Sequence, residues 1–225
     1  MAGQSLDAVS LGWHGFEGDR RFALRRIGVQ NGFPWLTAGR FPKLLLYTPF
    51  GQISGESAAL PSHVRTPDGR ELEIRSDELR QEISGAYGSP LEMMRLDQGI
   101  FDEAKVSIIS HSTIQAIEQE SGVELEVARF RPNILVETVD GTPFQEDAWV
   151  GKTILIGRGT ETPALQVYMR DLRCAMINYH PKTGIADPGV MKAVVRMNEN
   201  NAGAYASVRR TGTVSPGDRL YLEEE

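Results

Sequence analysis

The chain has 225 residues, 40% hydrophobic and 24% charged, the balance of an ordinary globular protein able to bury one large core or two small ones. A formal net charge of −6 and a pI of about 5.4 argue against a nucleic-acid or anionic-membrane partner, since either selects a basic surface. A single cysteine excludes an internal disulfide framework, a four-cysteine iron–sulfur cluster and a zinc ribbon. There is no long apolar run, and Met1-Ala2-Gly3-Gln4 lacks the basic and apolar regions of a signal peptide, so a soluble, cytoplasmic chain is expected.

With 23 glycines and 12 prolines the chain is cut into short segments, which favours strands over long helices. Residues 20–27 read as a strand with Phe22 and Leu24 on one face, and 43–47 as a second. Residues 63–74 read as a hairpin around Asp68-Gly69. Ser76 opens a helix whose Leu79, Ile83, Ala86 and Tyr87 share a face, and Gly88 ends it. Residues 91–96 return to a strand. The polar, acidic segment 98–104 is the expected boundary between a region 1–97 and a region 98–225. Beyond it, 106–109 reads as a short buried strand, and Ser112-Thr113-Ile114-Gln115 as a capping pattern for a helix that Gly122 stops. Residues 133–138, 152–156 and 165–169 read as strands, and Asp187-Pro188 as the start of a helix through 190–197. Residues 206–210 and 219–222 resemble a closing hairpin through Ser215-Pro216-Gly217-Asp218. Many short strands with few helices predict a barrel.

Three segments carry candidate chemistry. In Arg170-Asp171-Leu172-Arg173-Cys174 a cysteine lies beside two arginines, and cations aimed at the sulfur would favour the thiolate, a soft ligand or sulfur carrier. A buried structural thiol is the competing reading. In Arg129-Phe130-Arg131-Pro132-Asn133, Pro132 favours an extended Arg131, and on an extended segment Arg129, Arg131 and Asn133 share a side, where arginine forks match phosphate; a solvated strand face is the alternative. Gly18-Asp19-Arg20-Arg21 precedes a strand, and a turn with a surface ion pair is the favoured reading of its residues. The four histidines, His14, His63, His111 and His180, form no short-spaced metal pair. His111 lies near a helix N-terminus, and His180 is either a base for the thiol or an exposed loop residue.

Taken in order, these segments resemble the MOSC family, the domain of molybdenum cofactor sulfurases and of amidoxime-reducing enzymes. The similarity rests on Gly18-Asp19-Arg20-Arg21-Phe22, on the Arg129-Phe130-Arg131-Pro132-Asn133-Ile134 element, on Phe144-Gln145-Glu146-Asp147-Ala148-Trp149-Val150-Gly151, on Cys174 followed by Pro181-Lys182-Thr183-Gly184, and on the closing Gly212-Thr213-Val214-Ser215-Pro216-Gly217-Asp218. The resemblance implies a mainly β fold with a few helices: a MOSC-type, pyruvate-kinase-like β-barrel plus a smaller β-rich N-terminal subdomain. It implies that residues 1–97 are a partial N-terminal barrel region and 98–225 the MOSC domain. It implies the molybdenum cofactor (molybdopterin) as ligand, with Cys174 as molybdenum ligand or sulfur carrier. Arg129, Arg131 and Asn133 become the cradle for pterin or phosphate, with Arg20, Ser112 and Arg173 contributing.

A reductase of small N-hydroxylated substrates would take electrons from a separate flavin or iron–sulfur protein. A carrier would instead exchange cofactor or sulfur with a donor protein. The likeness to the sulfurases also brings pyridoxal phosphate binding as an associated property, although no desulfurase domain is present in the sequence. The family's Lys-Ser-containing first strand has no counterpart ahead of Met1-Ala2-Gly3-Gln4, which leaves one wall of the expected pocket unassigned.

Overall fold

The computed structural model describes residues 1–30, 32–54, 60–100, 103–159 and 161–223. Strands run in chain order as β1 (Val9–Gly12), β2 (Gly15–Phe16), β3 (Phe22–Arg26), β4 (Thr48–Phe50), β5 (His63–Arg65), β6 (Glu71–Glu73) and β7 (Leu91–Arg95). They continue as β8 (Val106–Ser110), β9 (Ile134–Val136), β10 (Thr153–Ile156), β11 (Ala164–Leu172), β12 (Asn201–Arg210), β13 (Gly212–Val214) and β14 (Leu220–Glu223). The α-helices are α1 (Asp77–Tyr87), α2 (His111–Ser121) and α3 (Pro188–Asn198). The architecture is mainly β with a few helices, as expected.

Two compact units emerge, interleaved along the chain. The first takes Met1–Gln4, Gly18–Ile100 and Pro181–Ile185, and the second takes Ser5–Glu17, Phe101–His180 and Ala186–Glu225. The segment 98–104 includes Phe101 and Asp102, which lie outside the described residues.

In the first unit β3 pairs antiparallel with β7, and β4, β5 and β6 form an antiparallel meander. The β5–β6 turn follows Asp68-Gly69, with the Gly69 N–H donating to the Thr66 carbonyl at 2.9 Å and φ 87° at the glycine. Helix α1 begins where the Ser76 hydroxyl accepts from the Leu79 N–H and ends at Gly88 in the left-handed region. Its Leu79 and Ile83 enter a core with Leu24, Leu44, Tyr47, Val64 and Leu91. Residues 43–47, read as a strand, fall instead in a 3-10 turn, Pro42–Leu46, with proline in its first turn; Leu44 and Leu45 are buried without any strand pairing.

The second unit is built on a six-stranded sheet ordered β14-β10-β11-β12-β8-β9, all antiparallel except the β8–β9 pair. All five residues of β8 are buried, because α2 and α3 cover one face of the sheet while the other faces a second core. That second core includes Leu11 and Phe16 from a small β13-β1-β2 sheet, so the two sheets wrap one interior as a curled half-barrel. Strand β11 is longer than expected and carries register shifts against β12 that bend it. No closing hairpin joins 206–210 to 219–222: β12 pairs with β11 and β8, whereas β14 pairs with β10. The α2 cap is Ser110, two residues earlier than expected, with its hydroxyl accepting from the Thr113 N–H at 3.2 Å. Helix α3 starts as read, with Asp187 capping Gly189 N–H and Pro188 at the first turn.

Candidate functional site

Cys174 follows the end of β11 and opens a 3-10 turn, Ala175–Asn178. Its backbone is extended (φ −104°, ψ 172°), its carbonyl accepts from Ile177 N–H at 3.3 Å, and its side chain is exposed. The buried-thiol reading is thereby excluded.

The preceding residue turns inward. Arg173 is 7% exposed, and each edge of its guanidinium meets protein: Nε donates to Ala202 O at 2.7 Å, Nη1 donates to Phe130 O at 2.9 Å, and Nη2 lies 2.8 Å from Asp171 Oδ2. The guanidinium also stacks over the Phe130 ring at 5.5 Å. Arg170 bonds the end of α3 through Asn198 O and Oδ1, and its charge is met by Asp147 at 3.1 Å and Glu199 at 3.2 Å. Both arginines near the cysteine are therefore engaged by carboxylates and carbonyls of their own.

The second segment approaches the same loop. Arg129 closes a 3-10 turn, Val127–Arg129, and is 3% exposed. Its Nη1 donates to Ile177 O at 3.3 Å and Asn178 O at 2.8 Å, both in the turn that Cys174 opens. Burial pulls this guanidinium below its usual range, partly offset by Asp187 and Glu126. Arg131 is half-buried with φ 53°, a left-handed conformation rather than the extended one that Pro132 favours. The segment is a turn, so Arg129, Arg131 and Asn133 do not line one strand face. Asn133 instead docks β9 against β8, its Oδ1 accepting from Ser107 N–H at 3.0 Å and its N–H donating to Ser107 O at 3.0 Å.

Ser112 lies in the first turn of α2, with its hydroxyl 3.0 Å from Ser110 Oγ and donating to Thr142 O at 3.2 Å. Arg20 belongs to the other compact unit, where it has φ 51° and its Nε is 3.8 Å from Asp19. The structure thus brings Arg129, Arg173 and Cys174 together, while Asn133 and Ser112 are engaged in joining secondary structure. His180 Nε2 lies 3.6 Å from Glu126 Oε1. Among the described residues no group of three His, Cys, Asp or Glu side chains converges as a metal cage.

Two buried carboxylates escaped the sequence reading. Glu146, fully buried, accepts from Ser110 N–H at 2.6 Å and from the Thr113 hydroxyl at 2.9 Å, and so holds the start of α2. Asp171 is 1% exposed, whereas its apolar neighbour Leu172 is 60% exposed. The register shift between Arg170 and Leu172 accompanies this inversion, and no alternation rule reveals it. The useful signal was chemical: an acid placed two residues from an arginine at a strand end.

Comparison with known proteins gives the wider context. The MOSC domain profile matches residues 88–221, more than half of the chain. Among curated proteins no sequence matches. Among solved structures, the YuaD protein of Bacillus subtilis superposes with a TM-score of 0.51 at 17% identity, covering 99% of this chain and 87% of that one. YiiM from Geobacillus stearothermophilus aligns with a TM-score of 0.40 at 20% identity, over 54% of this chain and 55% of its own. YiiM from Escherichia coli aligns with a TM-score of 0.36, also at 20% identity, over 54% of this chain and 55% of that one. The YuaD likeness supports the fold. The chain belongs to the MOSC domain family, which is associated with binding of the molybdenum cofactor.

Proposed function

We propose that this protein binds a molybdenum cofactor through the Cys174 thiolate and reduces small N-hydroxylated compounds, using electrons from a separate flavin or iron–sulfur protein. The observation that carries the reading is an exposed thiol, the only cysteine of the chain, presented by a loop that two buried arginines brace. A soft sulfur donor open to solvent fits a molybdenum ligand.

The expected phosphate cradle fits less fully. The polar atoms of Arg173, Asn133 and Ser112, and Nη1 of Arg129, bond the protein itself rather than facing an anionic group. When bound, the cofactor supplies the two-electron couple. The overall change is balanced as an N-hydroxyl compound plus two electrons and two protons giving the amine-level product and water. The chain's own part is to hold the sulfur in place and to leave it open toward substrate.

Expression in a host that makes the cofactor, followed by metal analysis, tests the reading. Molybdenum near one per chain, lost in Cys174→Ser together with reduction of an amidoxime by an artificial donor, is the expected result. Metal-free protein with no amidoxime turnover overturns it.

The same exposure favours a second reading, in which Cys174 carries a persulfide or the cofactor from a donor protein to another enzyme. Intact-mass measurement would then show a sulfur adduct that is removed by reductant and absent from Cys174→Ser. An unmodified thiol after incubation with a sulfur donor counts against it.

A further inference from the structure

The geometry points to Asp171, Arg173 and Arg129 as positioning residues that set the direction in which the Cys174 thiol leaves the fold; this rests on Cys174 being the ligand proposed above. The two loops brace each other reciprocally. Arg173, from the cysteine loop, donates to the Phe130 carbonyl in the 127–133 turn. Arg129, from that turn, donates to the Ile177 and Asn178 carbonyls in the cysteine loop. Cys174 sits between the two crossing points, so neither side of its loop can shift without breaking a charged hydrogen bond.

A third tie runs to the sheet. Arg173 Nε bonds Ala202 O in β12, and Arg173 N–H bonds Asn200 O at 2.8 Å. Asp171 neutralises the buried guanidinium at 2.8 Å, which allows a cation to lie at 7% exposure. The space for that cation exists because residue 203 has no side chain. A Cβ there would lie 2.5 Å from Ile108 O and 3.2 Å from Arg173 Nη2. Hydrogen bonds from a charged donor to carbonyls are stronger than neutral ones and directional, so this brace orients as well as stabilises.

A brace that only holds the fold together and one that aims the sulfur make different predictions for a probe on the sulfur. Since Cys174 is the only thiol, a nitroxide reagent labels it alone in the full-length chain. Two variants separate the roles. Arg173→Lys keeps a cation for Asp171 but loses the fork to Phe130 and Ala202. The double variant Asp171→Leu/Arg173→Met replaces the buried pair by apolar volume, a change that folded proteins tolerate.

The expected result is a restricted nitroxide spectrum in the native chain and a mobile one in both variants, with circular dichroism unchanged. Reaction of the unlabelled thiol with a disulfide reagent should accelerate by about tenfold, the factor for losing one such bond from a local opening equilibrium. Native line shape and native reaction rate in folded variants overturn the positioning role. Failure of both variants to fold also overturns it, because the brace would then be structural alone. Molybdenum content separates the two levels of the reading. A native chain that takes up no metal, while its label still responds to the variants, overturns the ligand assignment and leaves the positioning intact. A variant with a mobile label that loads molybdenum to the native level overturns the positioning and leaves the ligand assignment intact.

Discussion

Gly203 adopts φ 88° inside β12, a torsion that places its backbone close to Ile108. A methyl group there meets both an unfavourable torsion and a carbonyl oxygen at 2.5 Å, so Gly203→Ala is expected to lower unfolding free energy by about 3 kcal/mol, measured by urea titration. Arg131 also has a positive φ, 53°, a torsion that strains a residue with a side chain. Arg131→Gly should raise stability by roughly 1 kcal/mol in the same titration. A neutral or negative change in stability would show that the torsion carries no strain. Residue type alone marks Cys174 and the two arginine segments as candidates. It could not identify which guanidinium atoms face inward, because burial of Asp171 and exposure of Leu172 invert the ordinary preference at a strand end. That inversion accompanies a register shift between β11 and β12, which no local pattern encodes.

Elements with strong end signals were read well. Ser76 and Gly88 bracket α1, and Asp187-Pro188 starts α3, because side-chain capping and glycine's left-handed freedom act within a few residues. The start of α2 was misplaced because two serines compete there, and a buried acid from a distant turn decides between them. Glu146→Ala removes the acceptor for Ser110 N–H and the Thr113 hydroxyl, and an unfolding free energy lower by about 3 kcal/mol is expected from denaturant titration.

Tyr47 provides a pH-dependent counterpart in the other unit. Its burial, reinforced by the neighbouring Glu82 carboxylate, pushes the phenol up to about 12. The folded pKa is raised, so the stabilisation is complete below the unfolded value of 10 and is lost as pH rises toward 12. Unfolding free energy should fall by roughly 1.4 kcal/mol per pH unit across that window from this group, and Tyr47→Phe should remove that part of the slope.

At the scale of the whole molecule, each compact unit has apolar cores of its own. Leu79, fully buried in the first unit, packs with Leu24, Val64 and Leu91. Leu79→Ala should cost about 3 kcal/mol and reduce amide protection in β5, β6 and α1, and β8, β11 and β12 should keep theirs. Equal loss of protection in all six would show one cooperative unit. The mainly β character and the short strands were visible in the spacing of glycine, proline and apolar residues. The strand order was not, because β13 joins β1 across most of the chain length and β14 returns past β11 and β12 to join β10.

The placement of Cys174 also determines how many covalent links the molecule can form. A single thiol on the outside gives the chain a valency of one. Oxidation can therefore join two copies, or one copy to a small thiol, and growth stops there: in a non-reducing gel the heaviest oxidised band is the dimer, and no ladder follows it.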